Sequence, residues 1–412
     1  MVKIAVMGYG VVGSGTVEVF YKNLSGIENK IGDKADIKYI LDLRDFSGTP
    51  YDDKFVKDFD LILNDPEITV VVEVIGGLNP SYGFVKSLLE AGKSVVTSNK
   101  ELVAEKGAEL LHIAREKNVN FFFEASVGGG IPIIRPIHHC MAANEIDEIA
   151  GILNGTTNYI LTKMINEGTA FDEALLTAQK LGYAERNPAA DVEGHDSCRK
   201  ICILASLAFG KHVYPKNVYT EGITKVTLED VEYCNDFGGA VKLIGWASRR
   251  GEKAAVMVCP AFISSESQLS GVNDVFNAIL VKGDATGDVV FYGKGAGKLP
   301  TASAVVSDII MAAKMHDNSK SLYWENSDKD FVLDRSELEN KFYVRMICKD
   351  KTAALKKAEE MWGKLKVLHR DDELKNETAF ITPKINESKF DKDCAALSEL
   401  AEIKGKIRVL DY

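Results

Sequence analysis

The first 24 residues constrain the fold of this chain more than any other segment. Val2–Met7 is an unbroken apolar run, and a helical spacing of apolar residues extends from Val17 to Leu24. Four glycines lie between the two patterns: Gly8, Gly10, Gly13 and Gly15. An unbroken apolar strand is typical of the middle of a parallel sheet, because helices cover both of its faces. The segment therefore predicts the strand, glycine turn and helix that open a doubly wound α/β fold.

Strand and helix patterns continue to alternate as far as residue 124. We predict strands at Ile37–Leu41, Leu61–Leu63, Val70–Ile75, Ser94–Thr97 and Asn120–Glu124, and helices at Tyr82–Ala91 and Glu101–Glu116. Strands that alternate with helices form a parallel sheet with helices on both faces. Residues 1–133 are therefore predicted to form a Rossmann domain, a doubly wound parallel sheet.

The pattern changes after the glycines at 128–130. Predicted strands at Glu145–Leu153, Ala254–Phe262 and Val289–Tyr292 are mixed with helical stretches at Leu161–Leu181 and Asp196–Phe209. This mixture indicates a second domain of the α+β type over residues 134–299. The apolar helix predicted at Thr301–Met315 is expected to pack back on the first domain, which residues 300–330 complete.

Residues 338–412 have a pattern of their own. We predict strands at Phe342–Cys348, Val367–His369, Glu377–Thr382 and Ile407–Leu410, with helices at Lys351–Lys364 and Asp393–Ile403. This βαββαβ order, in a segment of this length, indicates a small ferredoxin-like module.

Composition excludes several classes of protein. A net charge of −10 disfavours a nucleic-acid binder, which would carry a basic stripe. No apolar run approaches the 18 or so residues of a membrane span, and the glycine turn comes too early for a signal peptide. Seven scattered cysteines favour a reduced, cytoplasmic protein. Cys198, Cys202 and His195 lie close together, but a fourth metal ligand and the usual spacing are missing.

The glycine motif GYGVVG is suited to a dinucleotide. Its backbone at Gly8, Gly10, Val11, Val12 and Gly13 can approach a pyrophosphate at the N-terminus of the helix. Two residues that follow the second strand favour different cofactors. Asp42 would bond the ribose hydroxyls of NAD, whereas Arg44 would meet the 2′-phosphate of NADP, and the choice stays open.

Two further loops are candidates for the same cofactor. Ser98, Asn99 and Lys100 directly follow a predicted strand, at the sheet edge where nucleotide folds bind their ligands. Their alternative role is a helix start, with Ser98 as the N-cap. Gly297 precedes a helix start marked by Pro300, so it either contacts the cofactor or merely caps the helix.

Two polar loops each leave two interpretations open. The loop Glu124–Pro132 joins a carboxylate to several free carbonyls, which suits either a monovalent cation or a plain interdomain hinge. The segment Asn154–Ile160 contains Gly155 and Thr156 and can line a polar pocket or form a turn and helix cap.

The segment from Ala178 to Lys200 is the densest in charge. Its carboxylates and its lysine are Glu185, Asp191, Glu193, Asp196 and Lys200. Asp196 and Lys200 are four residues apart, so in a helix they share a face. Such a segment is suited to holding a small zwitterion and moving a proton. The alternative is an exposed helical pair worth roughly 0.5 kcal/mol.

Taken together, these motifs resemble the homoserine dehydrogenase family. The family signature is Ala-x3-Gly-aromatic-small-x2-Asn-Pro-x2-Asp-x-x-Gly-x-Asp-x3-Lys. Every position is filled here, by Ala178, Gly182, Tyr183, Ala184, Asn187, Pro188, Asp191, Gly194, Asp196 and Lys200. The other motifs also follow in family order, and the resemblance covers roughly residues 1–330.

The resemblance implies interconversion of L-homoserine and L-aspartate 4-semialdehyde with NAD or NADP, in threonine and methionine biosynthesis. It implies that Lys200 is the proton donor and that Lys100 is a second active-site lysine. Substrate would be held by Glu185, Asp191, Asp196, Gly155 and Thr156. A sodium ion would be held by Glu124, Val127, Gly129 and Ile131, which favours the cation over the hinge.

The resemblance also bears on assembly and regulation. It implies a homodimer or homotetramer formed through the middle domain, which would be both catalytic and a dimerisation domain. The C-terminal module resembles a regulatory ACT domain, but the Asp-x-Pro-Gly turn is replaced by Cys348-Lys349-Asp350-Lys351-Thr352, so threonine inhibition stays open. No kinase domain precedes residue 1, as expected for the monofunctional form.

Two rival functions remain. One is a phosphorylating semialdehyde dehydrogenase with Cys140 as its nucleophile, although no activating group is visible around that residue. The other is an amino-acid-sensing protein without catalysis.

Overall fold

The computed structural model describes residues 1–315 and 322–411. Part of the segment 300–330, expected to complete the first domain, therefore lies outside the described residues.

The first region is a six-stranded parallel sheet in the order β3-β2-β1-β4-β5-β6. Its strands are β1 Val2–Met7, β2 Ala35–Leu41, β3 Phe55–Val56, β4 Ile68–Glu73, β5 Ser94–Thr97 and β6 Phe121–Phe122. Its helices are α1 Val11–Lys22, α2 Leu24–Ile31, α3 Asp60–Leu63, α4 Ser81–Glu90 and α5 Lys100–Glu116. This order is that of a doubly wound dinucleotide-binding fold, so the predicted Rossmann sheet is confirmed.

The second region begins with strand β7 and ends with a helix that returns to the first region. Its strands are β7 Ile146–Ile152, β8 Tyr219–Thr220, β9 Gly239–Arg250, β10 Lys253–Ser264, β11 Phe276–Gly283 and β12 Gly287–Lys294. Its helices are α6 Gly155–Glu167, α7 Phe171–Lys180, α8 Ala189–Val192, α9 His195–Phe209, α10 Leu228–Phe237 and α11 Lys298–Lys314. As expected, α11 packs on the first region, where Val305 and Ile309 join the core that contains Ile4 and Val6.

The C-terminal region has the predicted βαββαβ order. Its elements are β13 Glu339–Cys348, α12 Lys351–Trp362, β14 Lys366–Leu368, β15 Glu377–Ile381, β16 Ile385–Asn386, α13 Glu387–Leu397 and β17 Ala401–Leu410. The four main strands lie antiparallel in the order β17-β13-β15-β14, which is the ferredoxin-like arrangement. The sheet does not end there, because β17 pairs in parallel with β10 of the middle region. One eleven-stranded sheet therefore runs through both regions.

Three sequence predictions are wrong in detail, and several strands were not predicted. Leu61–Leu63 is the end of helix α3 and not a strand; Ile62 is buried in the core, Leu63 packs against it and Leu61 is exposed. Strand β6 stops at Phe122, and a short 3₁₀ turn at Glu124–Ser126 follows. The last helix ends at Leu397, so Ala401–Ile403 belongs to β17. Strands β3, β8, β9, β11 and β16 were not predicted at all.

Candidate active site

The glycine turn after β1 is shaped by contacts that leave no room for a side chain. Gly8 has a φ of 97°, and a Cβ there would lie 2.9 Å from the carbonyl oxygen of Val74. A Cβ on Gly13 would lie 1.9 Å from the carbonyl oxygen of Gly8. Gly10 meets no protein atom within 4 Å, so its lack of a side chain keeps space open above the start of α1. This helix start has no side-chain cap, and its N–H groups suit a pyrophosphate.

Asp42 and Arg44 lie together beside this turn. The Asp42 carboxylate accepts the N–H of Tyr9 at 2.7 Å, and the Arg44 guanidinium donates to it from Nε at 3.0 Å and from Nη2 at 2.8 Å. The guanidinium lowers the pKa of Asp42 to about 2. A cavity of about 390 Å³ is lined by both residues, Lys57 and the glycine turn. Its volume and charge suit the adenosine end of NAD or NADP.

The loop after β5 is fixed by Asn99 and not by Ser98. The side chain of Asn99 accepts the N–H of Leu102 at 3.1 Å, so Asn99 is the N-cap of α5 and the expected cap at Ser98 is wrong. The Asn99 amide also donates to the carbonyl of Gly77 at 2.6 Å. Lys100 is the first residue of α5, and its side chain extends to Asp196 of the middle region.

The loop before α11 lies against the loop that follows Glu124. Gly297 precedes α11 with a φ of 125°, and a Cβ on Gly129 would lie 2.5 Å from the carbonyl oxygen of Gly295. The N–H of Gly130 donates to the carbonyl of Lys294 at 3.1 Å. The two glycine loops therefore form one packed unit between the first and middle regions.

The Glu124 side chain is occupied by protein donors. It is buried, Oε1 accepts the N–H groups of Ile133 and Ile134, and Oε2 accepts the N–H and the Nε–H of Arg135, all within 2.6–3.0 Å. Four donors fill the acceptor positions of a carboxylate. In this conformation the Glu124 side chain ties the interdomain loop together. Its main-chain carbonyl and those of Val127, Gly129 and Ile131 are the remaining candidates for a cation.

The signature segment places two lysines on one buried carboxylate. Asp196 and Lys200 share a face of α9, as predicted, and the Lys200 amine donates to Asp196 Oδ2 at 2.7 Å and to the carbonyl of Leu153 at 2.7 Å. Lys100 contacts Asp196 Oδ1 from the other side. Lys200 is 7% exposed and Asp196 is 3% exposed, so the exposed helical pair is excluded. An ion pair between Arg199 and Glu101 at 3.2 Å also joins α9 to α5.

Asn154 completes this group, although the sequence did not single it out. Its amide donates to Asp191 Oδ1 at 2.6 Å and to Asp196 Oδ2 at 2.9 Å, and its carbonyl oxygen caps α6 at the N–H of Thr157. Its position at the head of the Asn154–Ile160 motif was the available signal, since an asparagine cap has an amide left over. The predicted cap is therefore confirmed, and the same residue adds an amide to the Asp196 group; a pocket at this motif stays a prediction.

The other predicted substrate residues lie at different distances from this group. The Thr156 hydroxyl donates to the carbonyl of Tyr183 at 2.6 Å and so holds the turn that contains Glu185. Gly155 lies against the carbonyl of Val275, 2.8 Å from where its Cβ would be. Glu185 is exposed, and in the described part of the chain its side chain makes no hydrogen bond to the Asp196 group. The structure thus brings Asp191, Asp196, Lys100 and Lys200 together and leaves Glu185 outside.

Burial and charge set the protonation of this group. Burial lowers the pKa of Lys200 from its ordinary value, while Asp196 opposes that change. Lys200 and Lys100 hold the pKa of Asp196 well below its usual range, against the effect of burial. Burial raises the pKa of Asp191. A lysine whose pKa is lowered by burial, held by a carboxylate and a carbonyl, can give and take a proton.

Comparisons with known proteins agree with this geometry. Residues 132–310 match the sequence model of homoserine dehydrogenase, and residues 8–124 match that of the homoserine dehydrogenase NAD-binding domain. The homoserine dehydrogenase of Synechocystis sp. is 41% identical over 367 residues, which are 85% of this chain and 83% of that protein.

Solved structures extend the likeness to the whole chain. The structure of a homoserine dehydrogenase from Thiobacillus denitrificans matches with a TM-score of 0.89 and 33% identity, over 100% of this chain and 98% of its own. A hyperthermophilic archaeal homoserine dehydrogenase in complex with NADPH matches with a TM-score of 0.67 and 28% identity, over 77% of this chain and 99% of its own. The dinucleotide turn, the complete signature and these matches agree, and the chain belongs to the homoserine dehydrogenase family.

Proposed function

We propose that this chain catalyses the reversible interconversion of L-homoserine and L-aspartate 4-semialdehyde with NAD or NADP, a step on the route from aspartate to threonine and methionine. The observation that carries the proposal is the contact of Lys200 and Lys100 with the buried Asp196, where the nucleotide-binding and middle regions meet. Family membership supplies the substrate, since charge and burial alone define only a site for a small polar molecule.

In this proposal Lys200 handles the proton. The nicotinamide, when bound, would supply the hydride for the carbonyl carbon of the semialdehyde. As the semialdehyde is reduced, the ammonium group of Lys200 gives a proton to the carbonyl oxygen. In the reverse direction the neutral amine takes the hydroxyl proton as hydride leaves the same carbon. The Leu153 carbonyl and Asp196 fix the direction of the Lys200 amine, because each accepts one of its hydrogens at 2.7 Å. Burial makes the proton easier to release.

The carboxylates bind the amino-acid end of the substrate in this proposal. Asp191 lies at the edge of the group, joined to it by Asn154, and Asp196 carries the negative charge that both lysines share. Glu185 is exposed on the turn held by Thr156, so it contacts the substrate ammonium only if that turn moves inward when substrate binds. Gly155 and Thr156 shape the pocket wall.

The proposed site also includes the residues that would hold the cofactor and the cation. The ribose end has one group for each cofactor, because Arg44 can leave Asp42 for a 2′-phosphate and Lys57 lines the same cavity. Gly8, Gly10, Val11, Val12 and Gly13 would hold the pyrophosphate. The proposed sodium ion would take the main-chain carbonyls at 124, 127, 129 and 131, since the Glu124 side chain is occupied.

Assembly, regulation and location follow the family in this proposal. We place the enzyme in the cytoplasm, where its seven free cysteines stay reduced. We propose a homodimer or homotetramer formed through the middle region, where β12 is an edge strand with Tyr292 57% exposed. The ferredoxin-like module would be the ACT-like regulator, although Asp350 starts α12 at once as its N-cap. None of the helices in the described ranges has the length and apolar character needed to cross a bilayer.

The proposal is tested by a turnover assay with purified protein, L-homoserine and either NAD⁺ or NADP⁺, followed by absorbance of the reduced nicotinamide. We expect homoserine-dependent turnover without added phosphate. Parallel reactions with choline in place of sodium, and with added threonine, test the cation and the regulator. Absence of turnover with both cofactors would contradict the function and favour the sensing protein.

The cysteine-dependent rival is tested in the same assay. Cys140 is exposed at the end of a π-helical turn, Pro136–Cys140, and is not part of the Asp196 group. We therefore expect Cys140→Ser to keep the activity of the wild type. Phosphate-dependent turnover that this substitution abolishes would identify the rival instead.

A further inference from the structure

Glu73 is a buried carboxylate to which neither the sequence motifs nor the proposed chemistry gives a role. It is the last residue of β4 and is 0% exposed. Among residues 1–315 and 322–411, no lysine, arginine or histidine forms an ion pair with it. An unpaired buried carboxylate is costly unless hydrogen bonds replace the water it has lost. The groups that donate hydrogen bonds to Glu73 therefore show which loops its carboxylate holds in place.

One oxygen of Glu73 holds the turn that follows β4. Oε1 accepts the N–H groups of Ile75 at 2.9 Å and Gly76 at 3.1 Å, and the hydroxyl of Ser81 at 3.0 Å. This turn borders the cofactor cavity, and its carbonyl at Val74 is the atom against which Gly8 packs. Glu73 Oε1 thus fixes one wall of the cofactor site.

The other oxygen holds the loop that leads to Lys100. Oε2 accepts the hydroxyl of Thr97 at 2.6 Å, directly across the parallel strands β4 and β5. The same hydroxyl accepts the N–H of Asn99 at 2.9 Å. Asn99 in turn caps α5 and donates its amide to the carbonyl of Gly77, which closes the network onto the turn after β4.

These bonds connect the cofactor wall to the lysine that contacts Asp196. Lys100 directly follows Asn99, so the position of its backbone depends on the Thr97–Asn99 contact. From the geometry we propose that Glu73 is a positioning residue, which through Thr97 and Asn99 sets the distance and angle between the nicotinamide and the Lys100–Asp196–Lys200 group. The proposal rests on the proposed function, because it concerns the geometry of the same hydride transfer.

A carboxylate is required at this position because both of its oxygens accept. In Glu73→Gln the amide oxygen can keep the three donors of the first arm, but an NH₂ group then faces Thr97. The Thr97 oxygen can accept both the Asn99 N–H and the new amide hydrogen, but its own hydrogen loses its acceptor and the bond to a charged oxygen is lost. The cofactor wall is preserved and the arm toward Lys100 is weakened. The expected defect is therefore in kcat and not in cofactor affinity.

The experiment compares Glu73→Gln and Thr97→Val with Thr97→Ser and Ser94→Ala. Thr97→Val removes the bridging hydroxyl at constant shape, whereas Thr97→Ser keeps it. Ser94→Ala is the matched control, because it removes a buried hydroxyl at the other end of the same strand, where Ser94 accepts the N–H of Asn120. The measurements are kcat, KM for homoserine, Kd for the reduced cofactor by fluorescence, and the thermal midpoint.

We expect kcat to fall about 10–100-fold in Glu73→Gln and Thr97→Val, since small displacements of reacting groups cost this much. The Kd for the reduced cofactor should stay within about fivefold, and Thr97→Ser and Ser94→Ala should keep kcat within about threefold. The double variant should be no slower than the slower single one, because both break the same arm.

The positioning role and the proposed function fail in different ways. Wild-type protein without homoserine-dependent turnover contradicts the function itself. If the wild type turns over, a native kcat in Thr97→Val overturns the positioning role alone. A loss in Glu73→Gln that matches its loss of folded protein would also overturn that role. If Glu73→Gln does not fold, Thr97→Val and Thr97→Ser decide the question.

Discussion

Lys200 and Lys242 are two buried lysines in the same region, and only one of them contacts a carboxylate. Lys200 is 7% exposed and Lys242 is 0% exposed, and burial lowers the pKa of both amines. Lys200 donates to Asp196, which Lys100 also contacts. Lys242 donates to the carbonyl of Val272 at 2.5 Å and more weakly to the side-chain oxygens of Asn158 and Asn273.

The surroundings of Lys242 indicate a structural role. The loop that it holds includes Asp274, a residue with a φ of 54°, which is an unfavourable conformation outside glycine. The Asn158 amide donates to the carbonyls of Val272, Asp274 and Phe276 in the same loop. Lys242 thus ties this loop to α6 and is 0% exposed. A buried lysine with a lowered pKa is therefore not evidence of catalysis by itself. A neighbouring carboxylate and access to the substrate are also required for a catalytic role.

The largest difference between the two lysines is expected in turnover. Lys200→Ala should lower kcat by about 10²–10⁴, because it removes the proton donor but none of the cofactor contacts. The matched variant Lys242→Met should keep kcat within about threefold per folded molecule, since it does not reach the substrate. Steady-state kinetics and reduced-cofactor binding measure both effects. Wild-type turnover in Lys200→Ala, or an equal loss in Lys242→Met, would remove the distinction.

Asp196 is what separates the surroundings of Lys200 from those of Lys242, so its charge should set the pH profile. Asp196 opposes the lowering of the Lys200 pKa, and Asp196→Asn removes that effect. Reduction of the semialdehyde needs protonated Lys200, so its rate falls as pH rises through the Lys200 pKa. In Asp196→Asn this alkaline limb should move to lower pH, and kcat/KM should drop about 10²-fold. A shift of the limb to higher pH would contradict the assigned roles.

Lys242 also shows which strands the sequence predicts and which it does not. Five of the six parallel strands were foreseen because unbroken apolar runs alternate with helical patterns, whereas the two-residue strand β3 was not predicted. Strand β9 was missed because Lys242 interrupts its apolar pattern, although the residue is buried and hydrogen-bonded. Strand β11 carries a buried polar residue of the same kind, Asn277. Tertiary contacts satisfy the Lys242 amine, whereas the amide of Asn277 is buried without a hydrogen-bond partner in the described part of the chain. No local pattern reveals either arrangement.

Prediction of the site shows the same limit. The four-residue spacing of Asp196 and Lys200 placed them correctly on one face, because that spacing is a property of the helix. The amide of Asn154 and the Leu153 carbonyl reach this pair from 42 and 47 residues away, so only the fold brings them there. The sequence identified Glu124 as a candidate cation ligand, and only the fold shows that its side-chain oxygens accept the N–H groups of residues 133–135; a cation role stays a prediction for its main-chain carbonyl. Residue type and spacing identify candidate site residues, while the hydrogen-bond partners of each side chain in the fold show which role it can take.

The smallest effect expected to separate the lysines is a pH dependence of stability at Lys242. Burial lowers its pKa from 10.5 to about 8, so the folded protein binds this proton less tightly than the unfolded chain does. Between pH 8 and 10.5 the unfolded chain holds more protons, and stability therefore rises with pH in that window. Below pH 8 the cost of burying the charge is present in full. Lys242→Met lacks this contribution, whereas Lys200, whose pKa burial also lowers, contributes equally in both proteins, so the comparison isolates Lys242.

The measurement is urea denaturation of the wild type and of Lys242→Met at pH 7 and pH 10, followed by tryptophan fluorescence. Trp246 lies on the same strand as Lys242 and reports on the middle region. The free energy of unfolding of the wild type, relative to the variant, should increase by about 2 kcal/mol from pH 7 to pH 10. If this difference stays constant, the Lys242 amine keeps its proton in the folded protein. The two buried lysines would then share only their lack of exposure, and the proton-transfer role of Lys200 would depend on its carboxylate partner alone.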